Sequence, residues 1–374
     1  MTTTAAHTTA VPTGQSPGDA AARAPEPPDV PRAVTVLTVD DRLSLYGSML
    51  GSLGLVWLLY TQILPFSGKI GFFICWYVVY LVMFASVTAM AHPLPIVIDR
   101  LWSAIITGGA ALVGIALVST VLYTFFRGWA AVHHVSFLTH SQAGVSPTAP
   151  LNQGGISHAI VGSLIELGIA TLVSLPLGIG TAVFMVEVGG KFARIVRTVV
   201  EAMTALPDIL AGLFIYTTLI VGLGFQRSGF CAAMALSVMM LPIIARSADV
   251  ALRVVPGGLR EAGYALGASQ WQTVWRVVLP TSKSGLGTAV ILGMARAIGE
   301  TAPVLITSGA STFFNKDPFN NPMNSLPLYI LTAVRSGEPR FIARGFGAGI
   351  VLLLLVLALF GAARFLSRSK AISR

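Results

Sequence analysis

The sequence predicts an all-α fold, a polytopic membrane helical bundle of about eight transmembrane helices. Three observations predict it. Of 374 residues, 54% are hydrophobic and only 10% are charged, where a soluble domain carries about 25% charged residues. Mean hydropathy is +0.78. Apolar runs long enough to cross a hydrocarbon layer roughly 30 Å thick recur along the chain. Together these exclude an ordinary soluble domain and a disordered chain. The formal net charge is +9, from 24 Lys+Arg against 15 Asp+Glu. In a membrane protein such an excess reads as topology before it reads as a nucleic-acid surface.

Residues 1–42 are rich in Thr, Ala and Pro and have no apolar period; they are expected to form a disordered cytoplasmic tail. No basic start leads into a short apolar core with a small-residue cleavage site, so no signal peptide is expected. Spans are predicted at about 43–64, 69–89, 102–125, 157–185, 209–225, 228–245, 284–307 and 345–364. The first two form a hairpin, making 43–95 an extra N-terminal unit ahead of a core over 96–374. With both termini inside, sixteen Lys and Arg residues fall on the cytoplasmic side and seven outside, and Arg296 is left within a span. That asymmetry fits the rule that basic loops stay cytoplasmic, facing anionic membrane lipid.

Nucleotide and catalytic signatures are absent. No G-x-x-x-x-G-K-[ST] is present, nor H-E-x-x-H, nor G-x-S-x-G. Cys75 and Cys231 sit in apolar runs and build neither a disulfide framework nor a zinc site. His133, His134 and His140 in the outer loop 126–156 lack the further ligands a metal needs. No catalytic residue, cofactor or metal is expected, and the chain reads as a non-enzyme.

The segment 246–283 is too polar to span. It contains Glu261-Ala262-Gly263-Tyr264-Ala265-Leu266-Gly267, nine further residues, then Val277-Val278-Leu279-Pro280. Small residues at 262, 263 and 265 allow another protein to approach closely. Glu261 suits the start of a short helix, where the dipole favours an anion. Gly267 permits a tight turn between two short helices. Leu279-Pro280 is expected to stop the second helix before the chain re-enters the membrane. The plainer alternative is a connecting loop with a glycine turn.

This spacing resembles the E-A-A-x-x-x-G-(x9)-I-x-L-P signature of ABC importer permeases, with Gly263 for the second Ala and Val277 for Ile. The run Arg296-Ala297-Ile298-Gly299-Glu300-Thr301-Ala302-Pro303 resembles the R-A-x-G-E-T-A-P signature of PstA-type phosphate-import permeases. Leu266 to Val274 and Asn324-Ser325-Leu326-Pro327 fit the same family, and the likeness covers roughly 100–366. The resemblance implies a six-helix permease core in the cell membrane that forms half of a phosphate pathway. It implies four partners: a PstC-type second permease, two copies of a separate ATPase, and an extracytoplasmic phosphate-binding protein. On this reading Glu261, Ala262, Gly263, Gly267, Leu279 and Pro280 couple to the ATPase, and the outer segments 126–156 and 308–343 meet the binding protein. The hairpin at 43–89 departs from the family and receives no function.

Arg296 and Glu300 are four residues apart and are predicted to share a helical face. Counted from Ser284, Arg296 lies roughly 18 Å into the span and Glu300 about 24 Å. An ionised Arg at that depth costs at least about 2.5 kcal/mol, so it should face a bundle interior or a watery path and have a partner. Arg296, Glu300 and adjoining Thr301 are read as translocation pathway, Arg296 attracting the anion and Glu300 holding its side chain. A salt bridge without substrate contact is the alternative. Glu166, inside the fourth span, is a further pathway candidate. Pro207 is expected to break a helix, Asp208 to cap the next, and both, with Glu201, to be structural. Rival functions are an ABC permease for another oxyanion or small solute, an ATP-independent secondary transporter, and a membrane enzyme.

Overall fold

The computed structural model describes residues 39–63 and 68–367. The expected tail lies outside the described residues as far as residue 38. Among the described residues every regular element is helical. The chain divides into two units, one running to Gly114 and the other from Ile115.

In the first unit, α1 (Val39–Leu58) leads through a wide turn to Ile63, and α2 (Lys69–Ala91) returns. The first helix thus starts at Val39, because Asp41 has a use there: it pairs with Arg100 at 2.6 Å. Gly51 leaves room for Met83 against its backbone, and Trp76 Nε1 donates to the Met49 carbonyl at 3.3 Å. The unit boundary falls within α3 (Leu94–Val132). Its 39 residues overrun the predicted 102–125 at both ends. No proline interrupts it after Pro95, and its glycines, at Gly108, Gly109, Gly114 and Gly128, are not enough to stop it.

The second unit continues with a short α4 (Val135–Thr139) and then α5 (Ser157–Val183), which ends in a wide turn over Phe184–Val188. The loop expected at 126–156 is therefore partly helical. α6 (Gly190–Thr204) follows, then α7 (Asp208–Ile215), which is prolonged by a wide turn to Gly222. The chain bends 105° between these two helices. Residues 205–207 make the break because Pro207 has no N–H to continue α6. The predicted fifth span is thus one arm of a bent pair.

α8 (Gly229–Arg253) is capped by Ser228, whose Oγ accepts the Cys231 N–H at 3.5 Å. It outruns the predicted 228–245, since Asp249 ties Arg197 of α6 at 3.1 Å and Arg253 at 3.0 Å. Next come α9 (Gly257–Ala265), α10 (Gln270–Thr273), a wide turn, α11 (Leu279–Thr281) and α12 (Lys283–Ala297). The bend before α12 is 73°. It sits at Ser282, two residues beyond Pro280, so Pro280 does not stop the helix as expected. At the first position or two of α11 its missing N–H is tolerated. The predicted span 284–307 is also interrupted: α12 ends at Ala297 and α13 (Ala302–Thr307) starts anew. α14 (Leu326–Arg335) and α15 (Pro339–Ser367) complete the chain. Six described helices are long and apolar enough to span, and the two bent pairs raise this to eight.

The core lies where α5, α8 and α12 meet. Leu167, Ala170, Ala233, Leu236, Met240 and Ile244 are buried there with Ala297 and Val304. Small residues bring the helices close, as in other membrane bundles. Ile244 is seated between two glycines, and a Cβ at Gly178 or at Gly293 would lie 2.8 or 2.7 Å from its side chain. At the other end of α5, Ile156, Phe137, Leu326 and Tyr329 form a second cluster with α14 and α15.

Candidate functional site

Two breaks in the helical run carry the residues singled out by sequence. The first is the turn in the 257–281 segment. α9 starts at Gly257, so Glu261 lies in its second turn rather than its first and stands exposed. At its end Ala268 N–H donates to the Gly263 carbonyl at 3.1 Å and Gly267 N–H to Tyr264 at 2.9 Å. This double bond pattern requires a left-handed residue next to the helix end, and Gly267 supplies it with φ of 79°. α10 then opens with a reciprocal cap. Ser269 Oγ accepts the Gln272 N–H at 3.3 Å, and Gln272 Oε1 accepts the Ser269 N–H at 2.9 Å. Gly263 faces Thr273, and a Cβ there would lie 3.0 Å from Thr273 Oγ1. Gly263, at the place of the signature's second Ala, is therefore suited by this close approach of α9 to α10.

The same segment exposes large apolar side chains that sequence reading left aside. Leu266 is 88% exposed, Trp275 68% and Trp271 59%. The two tryptophans are four residues apart, a spacing that puts them on one helical face and was readable in advance. Ala262 is exposed beside them, and Leu279 and Pro280 lie at the far end of the segment, half-buried and exposed respectively.

The second break runs from Ile298 to Thr301, between α12 and α13. Arg296 occupies the last turn of α12, and Glu300 lies beyond the helix end. The expected shared helical face is therefore not what joins them; the turn folds Glu300 back, and the ion pair forms even so. Arg296 has a second partner, Asp208, in the first turn of α7. The Asp208 carboxylate does not cap that helix through a hydrogen bond, yet an anion at a helix start is favoured. Pro207 sets this position by ending the preceding helix. α7 reaches the break because Gly212 leaves no room for a Cβ against Pro303 of α13.

One guanidinium at the end of α12 thus lies between two carboxylates, one from the start of α7 and one from the break before α13. Arg296 is 45% exposed, Asp208 34% and Glu300 12%. With all three ionised the group carries one net negative charge. A cavity of about 100 Å³ beside it is lined by Thr204, Asp208, Met239, Pro242 and Arg296. Each carboxylate is held through one guanidinium nitrogen, Glu300 at Nη1 and Asp208 at Nη2, out of the five donors an arginine carries. Thr301 begins α13, half-buried, and makes no side-chain cap bond. Glu166 stands apart, 1% exposed in the core, with its Oε1 buried and making no hydrogen bond among the described residues. The structure does not bring it to the cavity.

The family described as "Binding-protein-dependent transport system inner membrane component" matches residues 174–372. The "Phosphate transport system permease protein PstA" of Mycobacterium leprae is 44% identical over 245 residues, which is 64% of this chain and 80% of that protein. "Phosphate transport system permease protein PstA 1" of Mycobacterium tuberculosis is 41% identical, covering 65% and 79%. The Haemophilus influenzae protein called PstA is 32% identical, covering 68% and 91%.

Proposed function

The chain belongs to the binding-protein-dependent transport system inner membrane components, in their PstA-type branch, and on that premise we propose that its cargo is inorganic phosphate. It is a multi-pass permease of the ABC importer kind. In this reading it forms half of the pathway and a PstC-type second permease forms the other half. Two separate ATPase subunits complete the complex, coupling to this chain runs through the loop 246–283, and an extracytoplasmic phosphate-binding protein meets the outer segments. Both termini are cytoplasmic.

The observation that carries the reading is Arg296. It sits at an interruption of a spanning segment, yet 45% of its side chain is open. A charge that exists only to lock two helices would be closed over, because exposure to lipid is costly. An open guanidinium beside a cavity fits an anion that comes and goes. Asp208 and Glu300 compete with that anion for the same guanidinium, which allows release as well as capture. The apolar face of Leu266, Trp271 and Trp275 supports the docking assignment, since large exposed apolar groups mark interaction sites.

The test is phosphate uptake by the complete complex in liposomes, with and without ATP. Uptake should require ATP, and Arg296→Gln in a correctly assembled complex should lower it by at least about tenfold. Normal uptake by that variant would sink the pathway role. ATP-independent uptake would point to a secondary transporter, and equal competition by other oxyanions to a broader cargo.

A further inference from the structure

We propose that Arg260 is a positioning residue that makes the docking segment move together with the ends of α5 and α8. This rests on the transporter reading above and goes beyond its signature, which begins one residue later at Glu261. α9 contains no buried residue, so apolar burial does not fasten it to the bundle. What fastens it is polar and is centred on one guanidinium.

Arg260 reaches two helix ends at once. Its Nη2 donates to Glu187 Oε1 at 2.8 Å and its Nε to the same oxygen at 3.1 Å. Glu187 lies in the wide turn that closes α5. The Arg260 Nη1 donates to the Val255 carbonyl at 2.7 Å, and Nη2 also to Leu252 at 3.0 Å. Leu252 lies in the last turn of α8 and Val255 two residues past its end, the region where a helix runs short of intrahelical donors for its carbonyls. Glu187 is 6% exposed and Arg260 18%, so water screens the pair little. A second tie comes from across the Gly267 turn: Gln270 Nε2 donates to the Glu187 carbonyl at 2.5 Å. Both arms of the docking segment therefore hold residue 187, and α9 also holds α8.

A push on the exposed turn is delivered through this clamp to α5 and α8, two of the three helices that form the core. Only a planar fork can bond a carboxylate and two carbonyls together, so lysine is a poor substitute. A protein that only needed the turn folded already has it in the glycine and the reciprocal cap, which are local to 263–272. The clamp adds a mechanical connection that those bonds do not.

The complete transporter in liposomes gives the readout, as phosphate moved per ATP hydrolysed. Arg260→Gln and Glu187→Gln should co-purify with normal amounts of ATPase, yet that ratio should fall by at least about tenfold. Arg260→Lys should fall less. Glu187→Cys with Arg260→Cys, in a Cys75→Ser background, should be uncoupled until a short bis-maleimide restores the ratio. A wild-type ratio in Arg260→Gln overturns the proposal. So does loss of assembled complex with the ratio unchanged, or failure of the cross-link to recouple. The underlying reading fails separately, and takes the proposal with it, if the unaltered transporter shows no ATP-dependent uptake.

Discussion

The break at Gly267 and the break at Ile298–Thr301 solve the same problem in different solvents. At each, a helix ends and another begins, and the freed backbone groups need partners. The first break lies in a polar segment, and neighbours within ten residues satisfy it: Gly263, Tyr264, Ser269 and Gln272. The second lies in an apolar stretch, and its charge is met by Glu300 within the break and by Asp208, 88 residues away in sequence. The first break closes on its own neighbours, and only its attachment to the bundle calls on distant Glu187. The second is complete only when a distant helix delivers Asp208.

Substitutions can break that contrast or sharpen it. The largest effect should come from the local device. Gly267→Val puts a branched side chain where φ is 79°, a strain of roughly 2 kcal/mol. It should release the ATPase on purification and abolish ATP-driven uptake, as should Glu261→Lys. If either retains both properties, the turn is not the coupling element. A smaller effect is expected at the distributed site. Asp208→Asn leaves Arg296 with Glu300 alone and removes one competitor for the anion. Half-saturating phosphate should drop several-fold while maximal uptake also drops, because an anion with fewer competitors leaves more slowly. Unchanged half-saturation would show that Asp208 only props the helix. The smallest effect belongs to Glu166→Gln, a near-isosteric change in the core. Uptake should stay within about twofold, since the amide avoids the desolvation of a buried carboxylate. A larger loss would return Glu166 to the pathway.

What could be read from sequence followed this division. α5, α8 and α15 announced themselves by apolar length, which the bilayer demands of each helix alone. The turn at Gly267 was readable because a helix end capped by glycine acts through short separations, whereas Glu261 falls a turn later in α9 than expected and Pro280 does not stop the helix. The Arg296–Glu300 pair was anticipated for the right reason of charge, but on a continuous helix that ends before Glu300. Pro207 was recognised as a breaker, though neither the 105° bend nor the delivery of Asp208 to Arg296 follows from a single proline. Arg260 was counted only as a cytoplasmic cation. Its partner Glu187 is 73 residues distant, and one charge among many carries no sign of which is its mate.

Ile244 acts as a wedge that needs two vacancies. Its branched side chain fills the gap between α5 and α12 where neither offers a Cβ, and interiors packed so densely barely compress. A methyl group added at Gly178 or Gly293 would have to push Ile244 or a whole helix aside. The two sharp bends, 105° around residues 205–207 and 73° at Ser282, lie outside this tight contact, and the first of them places Asp208 beside Arg296.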